Sequence, residues 1–273
     1  MSWPQRGGYC TTTACALKAD AFDDAALTRD SFLGGRVTLL QPRVGYRAGV
    51  DPVLLAASVS ARPGQSVLDL GCGAAPALCC LATRVEGLAL VGLELQPAYA
   101  ALARRNLALN ALSGDIYEGT VSDPPKALRQ ISVDHVIANP PYFDAARGKQ
   151  AEDTGRGTGR AGETPLEDWV RCAAKRLKPG GACHVILRAE RLPELITAMD
   201  NHLGALTLLP LLPREGRAPR LVLMSARKGG RSPFRYRPAL VLHKGTTHAG
   251  DREAYTDAIR AVLRDGASLP MSE

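Results

Sequence analysis

Asn139-Pro140-Pro141-Tyr142 follows directly on the apolar run Val136-Ile137-Ala138, and its residue types suit one chemical problem. An amino nitrogen on a conjugated ring has its lone pair delocalised, so it is a poor nucleophile until acceptors hold its hydrogens. The Asn139 side-chain oxygen and the Pro140 carbonyl can both accept, favouring a pyramidal nitrogen in line with an electrophilic methyl group. Pro140 and Pro141 cannot continue a strand ladder, and they lock a rigid turn at its end. Tyr142 offers a face on which a flat base can stack after leaving its helix or loop. No general base is needed before transfer, because the proton leaves afterwards from an acidic ammonium. A polyproline turn, or a peptide ligand for another domain, is the competing reading of these residues.

The electrophile's carrier is read from a second constellation. Val67-Leu68-Asp69-Leu70-Gly71-Cys72-Gly73-Ala74-Ala75-Pro76 is an apolar strand entering a glycine turn and then a helix. Gly71 and Gly73 allow close backbone approach to a ligand, and the helix N-terminus presents unpaired N–H groups. Glu94 closes the next apolar run, where a carboxylate can accept from both hydroxyls of a ribose. A dinucleotide site wants a third glycine at the position of Pro76 and has no use for Asp69 two residues before the first glycine. S-adenosylmethionine carries an ammonium group at that end, which Asp69 suits. Further on, Thr120-Val121-Ser122-Asp123 puts a carboxylate where an adenine amino group could donate to it, although Ser-Asp-Pro-Pro is also an ordinary turn. Likewise, Glu94 could be no more than a solvated strand end.

Elements that can position these groups are legible in the hydropathy pattern. Strands are expected at 66–70, 89–93, 115–119, 134–138 and 182–188, alternating with helices at 76–85, 97–111, 165–177 and 191–202. That alternation predicts an α/β fold with a largely parallel sheet covered on both faces. Two further strands, 206–212 and 220–226, flank a short Pro/Arg/Gly turn and should be antiparallel neighbours at a sheet edge. Phe32 to Leu40 reads as a strand pair around Gly34-Gly35, followed by a helix from Pro52 to about Ala61 with Asp51 as its cap. A last amphipathic helix is expected over 252–264. Residues 144–163 are Gly-, Arg- and Ala-rich with little to bury, and read as a mobile loop, either a lid or a passive linker. The organisation expected is a flexible tail over 1–29, one domain over 30–264 (strand pair and helix over 30–61, Rossmann-like core over 62–264), and a tail over 265–273.

Composition bounds the rest. The chain has 273 residues, 45% hydrophobic, which is enough for one sizeable core. It shows no signal peptide and no run near the roughly 18 apolar residues of a membrane span, so a cytoplasmic protein without membrane contact is expected. Seven cysteines form no Cys-x-x-Cys pair and read as reduced, buried thiols, with no metal site expected. The net charge of +7 is concentrated: residues 214–244 hold nine Lys/Arg against Glu215 alone, leaving −1 for the rest of the chain. Such a block suits a phosphate-bearing partner, with Arg214, Arg217, Arg227, Lys228 and Arg231 as candidate RNA contacts. A solvated basic face is the plainer alternative.

The glycine turn, Glu94 and Asn139-Pro140-Pro141-Tyr142 together resemble the class I methyltransferases that modify planar nitrogens. Phe32-Leu33-Gly34-Gly35, Gln41-Pro42, Gly45-Tyr46-Arg47, Asp51, Leu54-Leu55-Ala56-Ala57 and Arg227-Lys228-Gly229-Gly230 resemble, more narrowly, the tRNA1(Val) adenine N6-methyltransferase family, over roughly residues 30–264. This resemblance implies a Rossmann-like class I methyltransferase fold, with a seven-stranded, mostly parallel sheet whose last strand is antiparallel. It implies S-adenosylmethionine as cofactor, held by Asp69, Gly71, Gly73, Glu94 and Asp123 with Tyr46 and Arg47 nearby. Catalysis and base holding would fall to Asn139, Pro140, Pro141 and Tyr142, and the substrate would be the adenine beside the anticodon of a tRNA. The loop after Tyr142 is longer and richer in glycine than the family pattern. Enzymes that methylate a release-factor glutamine use the same tetrapeptide, because an amide nitrogen poses the same problem. Adenine in ribosomal RNA or DNA, and a non-catalytic RNA-binding protein with this fold, are further alternatives. The basic block, and a strand pair where a helical recognition domain would otherwise stand, favour RNA.

Overall fold

Apolar runs too short for helices, each closed by Gly, Pro or a carboxylate, become the strands of one sheet, and the amphipathic segments between them become its covering helices. The structure, a computed structural model, describes residues 22–141, 164–246, 254–269 and 271. Tyr142, most of the N-terminal tail and the 144–163 segment lie outside the described residues.

The chain begins with an antiparallel hairpin, β1 (Leu27–Phe32) and β2 (Val37–Pro42), turning through Gly34 and Gly35 at positive φ. Strand β1 takes in Leu27 to Arg29, which the sequence pattern leaves in the tail. Only Leu27 of this strand is buried, so its apolar alternation is too weak to read. Helix α1 (Asp51–Ser58) starts with Pro52 in its first turn and ends short of Ala61. There the Arg84 guanidinium caps its terminal carbonyls at Ala56, Ala57 and Val59.

Next come β3 (Ser66–Leu70), α2 (Pro76–Arg84), β4 (Ala89–Glu94), α3 (Pro97–Leu109), β5 (Gly114–Glu118), a short α4 (Lys126–Arg129), β6 (Val133–Ala138), α5 (Leu166–Arg176), β7 (Leu177–Arg188), α6 (Leu192–His202), β8 (Gly204–Leu212) and β9 (Leu221–Arg227). Two very short strands, β10 (Arg235–Tyr236) and β11 (Leu240–Val241), pair with the outer edge of β8. Thr256 caps α7 (Asp257–Arg260), which a π-helical turn extends to Asp265.

The spatial order is β10-β8-β9-β7-β6-β3-β4-β5, with β11 also beside β8. Seven of these strands form the mostly parallel sheet expected, with β9 antiparallel to both neighbours. Two details differ from the sequence reading. Strand β9 lies between β7 and β8 rather than at an edge, because the chain crosses to the outer position first and the hairpin folds back inside it. The outer edge of β8 is in turn covered by β10 and β11, which two-residue pairings make invisible to periodicity.

One core layer packs α1, α2 and α3 on one face of the sheet, and another packs α5 and α6 on the opposite face. Helix α3 also holds the hairpin. Asn106, fully buried, accepts from the Leu40 amide at 2.7 Å and donates to the Leu40 carbonyl at 3.0 Å. One turn later Asn110 does the same for Thr38, at 2.9 and 2.7 Å. Residues four apart on a helix and two apart on a strand have nearly the same spacing, so two side-chain amides act as a partner strand for β2. Among the described residues no helix is long and apolar enough to cross a membrane.

Candidate active site

Parallel strands β3, β4 and β6 end side by side, and the candidate residues cluster beyond those ends. After Leu70 the chain turns through Gly71 and Gly73 at positive φ and enters α2 through Ala75, also left-handed, with Pro76 as the first helical residue. Gly71 is required for a second reason. A Cβ there would stand 2.7 Å from the Trp169 ring of α5, so the indole closes over the turn. Nothing in the local sequence joins Trp169 to Gly71, and the contact was not foreseen.

Glu94 is 6% exposed and both carboxylate oxygens are engaged: Oε2 accepts from the Gly73 amide at 2.8 Å, Oε1 from the Gln96 amide at 2.9 Å. Burial pushes its pKa up, and the backbone hydrogen bonds to Gln96 and Gly73 oppose that rise. Each oxygen keeps a second lone pair for a ligand hydroxyl. Asp69 is 3% exposed. Burial holds its pKa well above the usual carboxylate range, and the negative charge of Glu94 raises it further. Two buried carboxylates beside a glycine turn create a strongly acidic, partly desolvated corner, suited to a ligand bearing a cation and a diol.

Asn139 follows the last residue of β6. Its Nδ2 donates to the Tyr46 hydroxyl at 3.5 Å, and its Oδ1 is buried without a hydrogen-bond partner among the described residues. An unpaired buried carbonyl is costly, and such groups are rare outside functional sites. Here the free acceptor is the atom the sequence analysis assigns to an amino hydrogen. Tyr46 also lies 3.9 Å from the Cβ position of Gly73, and its carbonyl accepts from the Tyr99 hydroxyl at 3.1 Å. It therefore spans the glycine turn and Asn139. Pro140 is buried and Pro141 exposed, while Tyr142 lies outside the described residues.

The other candidates are not gathered here. Arg47 donates to Thr28, Asp30 and the Pro42 carbonyl, clamping the hairpin. Asp123 stands in the loop after β5, exposed and paired with Arg129 at 2.8 Å, while its neighbour Ser122 donates to Asp168. The basic block divides between two ends of the sheet. Leu221 of β9 is opposite Arg188 and Arg227 is opposite Ala182, so the turn carrying Arg214 and Arg217 is at the end shared with Asn139. Arg227, Lys228 and Arg231 are at the other end, roughly 20 Å away along a strand of about 3.3 Å per residue. There Arg227 donates to the Gly180 carbonyl and Lys228 to the Leu177 carbonyl. Among the described residues no three metal-ligating side chains converge.

Comparison with known proteins bears on the family and the fold. A family model described as the methyltransferase small domain matches residues 47–209. A tRNA1(Val) (adenine(37)-N6)-methyltransferase of Porphyromonas gingivalis is 29% identical over 234 residues, covering 80% of this chain and 89% of its own. One from Dickeya chrysanthemi is 28% identical over 247 residues, covering 88% and 95%. Among solved structures, a protein described as a predicted O-methyltransferase from Agrobacterium tumefaciens superposes with a TM-score of 0.64 at 28% identity, over 80% of this chain and 98% of that one. A 16S rRNA methyltransferase of T. thermophilus, solved with AdoMet and guanosine, shares the fold at a TM-score of 0.53 and 22% identity, over 74% of this chain and 50% of that one.

Proposed function

The chain belongs to the methyltransferase small domain family, and from that premise we propose that it transfers the methyl group of S-adenosylmethionine to the exocyclic N6 amino group of an adenine in tRNA. The observation that carries the acceptor chemistry is the Asn139 Oδ1, buried at the end of β6 with no partner among the described residues. The relatives named for adenine 37 of tRNA1(Val) make that nucleotide the first to test.

When bound, S-adenosylmethionine supplies a sulfonium-activated methyl group. Gly71 and Gly73 admit its close approach, Asp69 faces its ammonium, and Glu94 accepts from the ribose hydroxyls with the lone pairs left over from Gly73 and Gln96. Asn139 Oδ1 and the Pro140 carbonyl accept the two amino hydrogens of the base, which localises the nitrogen lone pair toward the methyl group. The Tyr46 hydroxyl occupies Asn139 Nδ2, so the amide presents its oxygen to the substrate rather than its NH2. Tyr142, which lies outside the described residues, would offer its ring to the base, as the sequence motif implies. Asp123 would reach the cofactor's adenine only after releasing Arg129, and Arg47 acts through the hairpin it clamps. Arg214 and Arg217, at the end shared with Asn139, and Arg227, Lys228 and Arg231, at the far end, would meet different stretches of the RNA backbone. One domain over residues 30–264, extended to Leu27 by β1, and a cytoplasmic location go with this reading.

The test is methyl incorporation from labelled cofactor into bulk tRNA and into a release factor, side by side, with modified nucleosides mapped by mass spectrometry. N6-methyladenosine appearing in tRNA is the expected result. Transfer to the protein with none to RNA would overturn the substrate and leave the Asn139 chemistry standing.

A further inference from the structure

The row of residues that runs through Asp69 of β3 and Ile137 of β6, on the face of the sheet that packs on α1, turns polar from β7 outward, where a cleft opens toward the amino ends of the strands. His184 of β7 is opposite Ser225 of β9, Ser225 is opposite Thr207 of β8, and Thr207 is opposite Arg235 of β10. Residues paired across strands point to the same face, so these four form one polar row across four neighbouring strands. The row lines a cleft of about 240 Å³, into which Ser60, just after α1, and Arg227 also reach. A second cleft, lined by Gln65 and His135, adjoins it across Ser60 and Arg227.

The floor of the cleft is the unusual part. His184 is 3% exposed, and neither of its ring nitrogens has a hydrogen-bond partner among the described residues. Burial, the neighbouring His135 ring and the Arg227 charge hold its pKa down to about 3. The ring is therefore neutral under physiological conditions, with one N–H to donate and one bare nitrogen to accept. Burying such a ring unpaired is unfavourable unless something in the cleft completes it. Around it stand hydroxyls from Thr207, Ser225 and Ser60, and the guanidinium groups of Arg227 and Arg235 near the mouth.

We propose that this cleft is a second ligand site, distinct from the methyl-transfer site, that takes the terminal phosphoryl group of a small phosphate monoester or inorganic phosphate. Several separate donors and two cations converge on one small volume, which matches a tetrahedral anion better than a planar carboxylate with two oxygens. A backbone phosphodiester is flanked by a sugar on each side and cannot reach a floor as buried as His184 and Thr207. The ligand is thus a free phosphate compound rather than a stretch of the RNA substrate. Ile137, opposite His184, is two residues before Asn139, so the β6–β7 pair links the cleft to the catalytic end over a short path.

The full-length protein is titrated with inorganic phosphate and with ribose 5-phosphate by calorimetry, with and without saturating S-adenosylhomocysteine. The imidazole nitrogens of His184 are followed by NMR. One saturable site is expected, unaffected by S-adenosylhomocysteine, with the His184 resonances shifting as it fills. Arg235→Gln, on the exposed β10, and the near-isosteric Thr207→Val should each weaken binding at least tenfold while still binding S-adenosylhomocysteine normally. Absence of saturable binding, competition by S-adenosylhomocysteine, or unmoved His184 resonances would overturn the proposal. So would wild-type phosphate affinity in Arg235→Gln, equal binding of succinate, or stoichiometric displacement of phosphate by tRNA.

Discussion

The two ends of the same sheet are built from opposite materials. At the carboxyl ends of β3 and β4, two buried carboxylates stand beside a glycine turn, and Glu94 is fixed by the backbone amides of Gly73 and Gln96. From the amino ends of β6 and β7 up to the row level with Asp69, two imidazoles and two guanidinium groups line two adjoining clefts, and the ring of the most buried of them, His184, has no hydrogen-bond partner among the described residues. The carboxyl end is preorganised by main-chain contacts, which cannot change rotamer. The cleft is assembled mostly from side chains, on strands whose backbone is engaged in the ladder, with Arg227 tied to the Gly180 carbonyl. Chemistry that must align reacting atoms to a fraction of an ångström belongs at the first kind of end. The second kind suits binding without reaction.

Breaking the comparison starts where the effect is largest. Asn139→Ala removes a buried, unpartnered acceptor at the catalytic end and should lower single-turnover methyl transfer by about 10² to 10³-fold, with cofactor affinity retained. Near-normal turnover would show that Asn139 does not hold the reacting nitrogen.

Asp69→Asn tests the acidic corner through two readouts that move in opposite directions. Because burial and Glu94 raise its pKa in the fold, Asp69 costs stability at neutral pH, and the amide should raise the melting temperature. Cofactor affinity should fall at the same time. In the wild-type protein, a cation binding beside Asp69 lowers its pKa and expels a proton. Affinity should therefore be full above the raised value and decline as pH falls through it, a trend Asp69→Asn should flatten. Glu94→Ala should cost cofactor binding roughly 1 to 3 kcal/mol, the worth of charge-assisted hydrogen bonds, in a calorimetric titration.

The smallest effect sharpens the contrast most. Arg214 and Arg217 share an end with Asn139, where Arg214 donates to the Lys244 and Gly245 carbonyls, whereas Arg227 and Lys228 are tied to carbonyls at the far end. Replacing the first pair with Ala should weaken tRNA binding and flatten its salt dependence by about 0.7 to 0.9 log units per lost phosphate contact. Replacing the second pair should change the slope less. Equal slopes would mean that the RNA wraps both ends of the sheet.

What could be read in advance follows from how each feature is encoded. The glycine turn, Glu94 and Asn139 are announced by Gly and Pro, which interrupt apolar runs for backbone reasons, and each falls at a strand end in the structure. The hydroxyl of Tyr46 beside Asn139 joins residues 93 positions apart, and the indole of Trp169 over Gly71 joins residues nearly a hundred apart. Neither leaves a local pattern. Division of the basic block was hidden for a different reason: its charges are contiguous in sequence, but β9 runs antiparallel, so the two ends of that strand carry its arginines apart. The polar row at His184 was missed because each strand contributes only one of its members.

Asn106 has a further bond that gives the hairpin a role in ligand response. Besides serving Leu40, its side-chain amide donates to the Ala74 carbonyl at 2.9 Å, so one planar group joins β2 to the peptide that closes the glycine turn. A ligand that rigidifies the turn must slow the opening of the hairpin by the same linkage, since freeing Leu40 requires the shared amide to let go. The amide hydrogens of Thr38 and Leu40, with no neighbouring strand on their side, should exchange with solvent as slowly as sheet interior and more slowly still once cofactor is bound. Asn106→Asp should erase that increment at Leu40, turning a silent region of the exchange map into a reporter of occupancy at the turn.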